Sequence, residues 1–257
     1  MSHPVGIAVN RSGTRAALTI FHEKGNIVTA DMVMGLRAAL EELTTHPHLK
    51  LITIEGAGSD FSFGASIPEH APDQIATVLP AMHRLVLDLL DAPAVTAAIV
   101  RGRCLGGGFE LALACDLIFA ADDAVFGLPE IALGVFPPAA SALLPLRVGA
   151  ARATRAIVTG ESRSAGEWLN AGLLELVAPA ATLTDSVDQW FDRYLAPRSA
   201  AALRHAATAA RLDLSMRVAQ TLPALERLYL NDLMRTADAV EGVDAFMNRR
   251  QPSWTDS

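Results

Sequence analysis

Apolar positions along the chain recur at two spacings, and the spacing changes at glycines and prolines. Val5–Asn10 and Ala16–Phe21 predict two strands, split by the polar turn Arg11–Ser12–Gly13. Thr29 precedes Met32, Leu36, Ala39, Leu40 and Leu43, which predicts a capped helix with one apolar stripe. Leu49–Glu55 predicts a buried strand that ends at Gly56 and Gly58. Asp60–Ile67 is a loop with an aromatic pair, and Pro68–Gln74 is polar and loop-like. Val78, Met82, Leu85, Val86 and Leu89 predict a helix starting near Pro80, since proline is tolerated in a first turn. Val95–Val100 predicts another buried strand. It is followed by Gly102, then by Gly106–Gly107–Gly108 opening a helix over Phe109–Ala114.

Beyond that helix, Leu117–Ala121 and Val125–Gly127 predict strands separated by the turn Asp122–Asp123. Leu128–Pro129–Glu130 reads as a tight connection and Gly134–Pro138 as a turn. Helices are expected over Thr154–Val158 and Ser164–Ala171, the latter closed by Gly172, and a last strand over Leu173–Val177. From Ser199 onward the pattern is purely helical. Strands alternating with helices over roughly the first 180 residues imply an α/β fold with a parallel sheet wrapped by helices. The expected division is a core over 1–195 and a helical segment over 196–257. That segment is too small to stand alone, so it is expected to pack on the core or on a neighbouring subunit.

Composition narrows the class. The 257 residues, 51% hydrophobic, can bury a large core. No apolar run approaches the roughly 18–20 residues of a membrane span, and Met1–Gly13 lacks a basic stretch followed by an apolar one. Two cysteines, Cys104 and Cys115, fit free thiols in a reducing compartment, so a cytoplasmic location is expected. A net charge of −7 without a basic stripe argues against a nucleic-acid surface. Lys24 and Lys50 are the two lysines, so phosphate on a ligand would be met mainly by arginine or backbone.

The chemistry concentrates in Ala94–Asp116. A strand feeding a glycine turn and a helix aims several backbone N–H groups at one point, backed by the positive end of the helix dipole. Three glycines leave that point bare of side chains. Glu110 lies three residues past Gly107, about one helical turn, so its carboxylate can share that side. A tight packing turn with a solvated glutamate explains the same residues. A dinucleotide loop lacks its third glycine, because Leu111 stands there, and a phosphate loop lacks its Lys-Ser/Thr pair. Glu130, 20 residues on, also follows a turn after a strand, and two carboxylates on one crevice can divide acid and base work. Glu130 can equally be a helix-start acid. The seven histidines form no metal-ligand spacing, and no Gly-x-Ser-x-Gly elbow occurs. Phe61 and Phe63 suit core or pocket wall.

AVTAAIVRGRCLGGGFELALACDLIFAADDAVFGLPEIALGVFP resembles the central signature of the enoyl-CoA hydratase/isomerase, or crotonase, superfamily. DFSFGASI is similar to the family's F-x-A-G-A-D-[IL] loop, and LITIEGAG stands where the preceding strand belongs. TGESRSAGEWLNAGLLELVAP and DAVEGVDAFMNRRQPSW resemble two later family stretches, so the likeness runs over essentially the whole chain. It implies a crotonase-like spiral of ββα turns with a C-terminal helical trimerisation segment, in homotrimers or hexamers. It implies acyl-CoA thioester substrates and no metal or redox cofactor, the CoA being part of the substrate. By motif position the backbone N–H groups of Phe63 and Gly107 would bind the thioester oxygen, and Glu110 and Glu130 would add or remove water. Phe61, Gly64, Ala65, Ser66, Ile67, Gly106, Gly108 and Pro137 are expected around the substrate. Lys24, with Arg249 or Arg250 from a neighbouring subunit, is expected near the CoA phosphates, although each also reads as surface charge. Three departures stand out: Phe63 for the family's Ala, Ser66 for its Asp, and Pro137–Ser141 for its P-G-A-G-G. The FSFGAS loop and KGNIVT segment look most like alicyclic dienoyl-CoA hydratases of anaerobic aromatic degradation, which predicts a flat ring beside Phe61 and Phe63. Isomerase or ring-opening hydrolase chemistry in the same superfamily, and a non-catalytic CoA-binding protein, are the competing readings.

Overall fold

Alternation along the second strand sets the layers of the molecule. The computed structural model describes residues 4–71 and 74–257. Strand β1 (Val5–Val9) pairs antiparallel with β2 (Arg15–Ile20), and on β2 Ala16, Leu18 and Ile20 are buried while the residues between them are half-buried. Thr29 caps α1 (Ala30–Leu43) by accepting from Met32 N at 3.2 Å, and the five stripe residues of this helix are all buried. Strand β3 (Leu51–Gly56) follows. Helix α2 (Ile75–Leu90) then begins five residues before Pro80 rather than at it. Ile75 and Leu79 are buried in a small cluster with Val135, Tyr229 and Ala239, and that burial outweighs the backbone bond Pro80 cannot donate. Of the expected loop Pro68–Gln74, Ile67–His70 forms a 3₁₀ turn, and residues 72 and 73 lie outside the described residues.

Strand β4 (Val95–Val100) is buried on both faces beyond Val95, which explains its unbroken apolar run. It does not feed the glycine turn directly. Gly102, at φ +53°, bends the chain into a short strand β5 (Arg103–Leu105), and β5 leads to α3 (Gly107–Ala114). Every residue of α3 is buried. Next come β6 (Leu117–Ala121) and β7 (Val125–Gly127). Where a turn was expected, Pro138 instead opens helix α4 (Pro138–Val148). Proline at a first helical position gives up no bond, and Ala139, Ala140, Ala142, Leu143 and Leu144 are buried along the helix.

Helix α5 (Ala150–Thr159), the two-residue strand β8 (Arg163–Ser164) and helix α6 (Ala165–Asn170) follow. Ser164 and Glu167 form a capping box on α6. The last strand, β9 (Leu176–Ala178), starts three residues later than expected. Leu173 and Leu174 are buried in the preceding turn, and pairing with β6 begins only at Phe119 opposite Leu176. An unforeseen helix α7 (Leu183–Tyr194) buries Leu183, Val187 and Phe191 before the long α8 (Ala200–Arg227) and the final α9 (Ala237–Met247).

The main sheet has the order β1-β2-β3-β4-β6-β9, parallel from β2 onward, and a second sheet has the order β5-β7-β8. Arg211 anchors α8 to this core. It is 4% exposed, and its guanidinium donates to Asp116 Oδ1 at 2.6 Å, to Ala92 O at 2.8 Å and to Ala94 O at 2.6 Å. Asp116 in turn accepts from Thr96 N at 2.8 Å, so one buried ion pair ties α8 to the start of β4 and the end of α3.

Candidate active site

Glu110 and Glu130 reach one cavity from two short elements. Glu110 stands in the first turn of α3, and Glu130 on the 3₁₀ turn Pro129–Leu133 that follows β7. The pairing of β5 with β7, Arg103 opposite Val125 and Leu105 opposite Gly127, sets these two turns side by side. Both glutamates line a cavity of about 1190 Å³ whose walls are mainly apolar, including Val33, Leu79, Met82, Val135 and Phe136.

The two carboxyl groups differ in their partners. Glu110 Oε1 accepts from Ala140 N at 2.9 Å, so the segment Pro137–Ser141 supplies a helix N-terminus to this acid. Glu130 Oε2 is shut off from solvent without a hydrogen-bond partner among the described residues. Burial raises the proton affinity of Glu110, opposed by the N–H groups of Ala140 and Ala139. Burial also raises that of Glu130, and the charge of Glu110 raises it further. Two carboxyl groups in one apolar cavity therefore resist ionising together, and one proton stays with the pair near neutral pH.

The loop carrying Phe63 corrects one expectation. Phe63 N–H donates to Gly25 O at 2.9 Å and so is not free to bind a substrate oxygen. Gly64 N–H donates to Ser62 Oγ at 3.1 Å, and Ser66 N–H to Val28 O at 3.0 Å. The Ala65 N–H between them has no partner among the described residues. It lies against Gly107, since a methyl on Gly107 would stand 3.2 Å from Ala65 N. Gly107 is the first residue of α3, so its own N–H has no intrahelical acceptor. The side-by-side donors are those of Ala65 and Gly107. Cross-strand bonds hold the loop there: Ser62 N–H donates to Arg103 O, and Leu105 N–H to Ser62 O.

The other expected residues divide. Lys24, Phe63, Gly64, Ala65, Ser66, Ile67, Gly106, Gly107 and Pro137 line the cavity. Phe61 does not: it is fully buried in the main core, because its N–H pairs with Arg101 O and turns its ring inward. Gly108 does not either, since a side chain there would point at Ser62 Cβ, 2.5 Å away. Only Phe63 of the aromatic pair faces the cavity. Its ring lies on Gly25, with the Arg103 guanidinium 5.2 Å from its centroid. Arg249 and Arg250 reach the cavity rim from the same chain. Arg250 is bound to Glu241 Oε2 at 2.7 Å and Asp244 Oδ2 at 2.6 Å, which leaves Arg249 and the exposed Lys24 as the less committed cations.

Sequence reasoning missed His70, Phe136, Tyr229 and Phe246, all of which line the cavity. Tyr229 is one of two tyrosines, and its signals were a polar-tipped aromatic in an Ala/Leu/Arg helical tail and its seven-residue step from Leu222. His70 Nδ1–H donates to Ser66 O at 2.9 Å, and burial lowers its proton affinity.

Comparison with known proteins agrees with this architecture. A family profile described as enoyl-CoA hydratase/isomerase matches residues 16–257. A cyclohexa-1,5-dienecarbonyl-CoA hydratase of Thauera aromatica is 44% identical over 256 residues, covering 98% of this chain and 97% of that protein. A probable enoyl-CoA hydratase of Bacillus subtilis is 30% identical over 246 residues, covering 93% and 94%. The crystal structure of an enoyl-CoA hydratase from Mycobacterium avium subsp. paratuberculosis superposes with a TM-score of 0.86 at 30% identity, covering 98% and 99%. The fold is the crotonase-like one expected from the sequence, and the chain belongs to the enoyl-CoA hydratase/isomerase family.

Proposed function

We propose that this protein is a hydratase that adds water to, or removes it from, an unsaturated acyl-CoA thioester, with an alicyclic dienoyl-CoA as its substrate class. The observation that carries the reading is the meeting of Glu110, Glu130 and the free N–H groups of Ala65 and Gly107 on one apolar cavity. In this reading the thioester oxygen accepts from Ala65 and Gly107, and a water sits between the two carboxyl groups. The ionised glutamate takes a proton from that water as its oxygen bonds to the β-carbon. The carbon–carbon π pair moves to the α-carbon, the oxygen carries the enolate charge, and the protonated glutamate returns a proton to the α-carbon. The sum is one water added, with no other reagent. Donors to such an oxyanion typically contribute about 3–4 kcal/mol each.

The name of the Thauera aromatica relative and the apolar wall with Phe63 and Phe136 support a cyclic acyl group. Lys24 and Arg249 are the proposed partners of the CoA phosphates, and no resident cofactor is required. Self-association as a homotrimer or a dimer of trimers, through a helical segment 196–257 that follows a core 1–195, belongs to the same proposal. The test is incubation with crotonyl-CoA and with cyclohexa-1,5-dienecarbonyl-CoA while following the conjugated-thioester absorbance and free CoA. Loss of conjugation with CoA still bound, faster on the cyclic substrate, is expected. Release of free CoA would make the protein a hydrolase, and preference for crotonyl-CoA would remove the cyclic substrate.

A further inference from the structure

One polar atom on the active-site cavity has no place in the mechanism above. Tyr229 is 1% exposed, yet its neighbour Leu228 is 48% exposed. Tyr229 continues the buried face of α8 seven residues after Leu222, and it stands in the π-helical turn Leu228–Asp232 that ends this helix. Such wide turns cost hydrogen-bond geometry and recur at functional sites. The ring is fixed edge-on to Phe136, with centroids 5.4 Å apart and planes at 71°. The hydroxyl is out of contact with solvent and has no hydrogen-bond partner among the described residues. Burying a phenol without a partner is unfavourable, so an orphan hydroxyl beside an active-site cavity needs an explanation. The unpartnered acceptor on the same cavity is Glu130 Oε2.

We propose that the Tyr229 hydroxyl is a positioning group for the glutamate pair, donating through one bridging water to the carboxyl of Glu130 when that group is ionised, the two atoms having no direct hydrogen bond in the resting structure. The proposal rests on the hydratase reading of this site. Burial and the two nearby carboxyl groups hold the phenol protonated well beyond neutral pH, so it serves as a donor at every working pH. The charges that bear on the phenol are those of Glu110 and Glu130. The cavity's other titratable groups are His22, Lys24, His70, Arg249 and Arg250. A donor to an ionised carboxyl favours its charged form, which keeps one member of the pair available as base despite burial.

Tyr229→Phe removes one oxygen and keeps the ring against Phe136. With crotonyl-CoA, kcat should fall roughly 10–100-fold with KM within about twofold, and the acid limb of the kcat profile should move about one pH unit upward. Infrared titration of the resting protein, with the Glu130 band assigned by Glu130→Gln, should show the same upward move. Unchanged kcat with an unmoved limb overturns the proposal. A rise in KM alone makes Tyr229 a pocket wall and also overturns it, as does lost activity with a lowered Tm and an unmoved infrared titration. If the wild-type protein hydrates neither substrate, the hydratase reading has failed, and the infrared titration still decides whether Tyr229 bonds to Glu130.

Discussion

A methyl group on Gly106 would stand 2.6 Å from Glu130 Oε1. Gly106 also has φ +48°, a backbone region side chains rarely adopt. This glycine therefore does two jobs: it turns the chain from β5 into α3, and it leaves room for the second carboxyl group. Gly106→Ala should push the Glu130 carboxyl out of place and cut kcat/KM at least about 100-fold, the scale of a misplaced acid–base group. The backbone strain adds a stability loss of about 1–2 kcal/mol. Steady-state kinetics and a thermal melt check both parts.

Removing either carboxyl group tests the shared role of the pair. Glu110→Gln and Glu130→Gln should each lower kcat by roughly 10²–10⁴-fold with little change in KM. Each variant should also lose one limb of a bell-shaped pH profile, since a single titrating acid remains. Equal activity in either variant removes that residue from the mechanism.

The glutamate pair also makes stability fall with pH. The folded state raises the proton affinity of Glu130 from 4.5 to about 8 through burial and the charge of Glu110. A carboxyl group whose affinity is raised by folding contributes its stability fully below the unfolded value of 4.5, and that contribution is lost as pH rises toward about 8. Glu130→Gln removes this loss. The variant should be more stable than wild type at pH 8, by about 1–3 kcal/mol, with the difference vanishing near pH 5. Urea melts at the two pH values measure it; a wild type more stable at pH 8 would contradict the burial of this acid.

Much of this site was legible in the chain, for identifiable reasons. Strands β2, β3, β4 and β6 are in the expected places because their apolar runs are buried by the sheet itself. Thr29 was readable as a cap because capping is local. Glu110 was placed by its spacing from Gly107, which a helix turn fixes. The errors lie where tertiary contacts decide. Pro80 sits inside α2 because Ile75 and Leu79 find buried partners more than 50 residues away, in Val135 and Tyr229. Phe63 was misassigned as a backbone donor because Gly25, on a separate loop, takes its N–H. Tyr229 continues the buried stripe Arg211, Val218 and Leu222 at a further seven residues, and it was missed because in an Ala/Leu/Arg-rich tail that stripe has few large apolar positions to mark it.

Phe63 now has a side-chain role to test rather than a backbone one. Its N–H goes to Gly25 O, and its ring forms cavity wall beneath the Arg103 guanidinium. Phe63→Ala keeps the backbone bond and widens the wall. The expected outcome is a kcat with crotonyl-CoA within about threefold of wild type, and a loss of roughly tenfold in kcat/KM for the cyclic substrate, the scale of lost apolar contacts in a pocket. An equal loss on both substrates would return this loop residue to the oxyanion site.

Arg211 carries the last expectation. Its guanidinium is 4% exposed and satisfies Asp116 together with the carbonyl groups of Ala92 and Ala94. Asp116 follows the helix that carries Glu110, and it also holds Thr96 N–H at the start of β4. Truncating one partner of a buried pair leaves the other charge unpaired, with a typical cost of about 3–5 kcal/mol. Arg211→Ala should show that loss in urea melts. Arg211→Met with Asp116→Asn, which removes both charges and keeps the bulk of the arginine stem, should recover part of it. Because no polar atom of Arg211 lines the cavity, the rescued double variant should keep kcat near wild type; a kcat that stays low after stability returns would mean that this ion pair also sets the position of α3 and its glutamate.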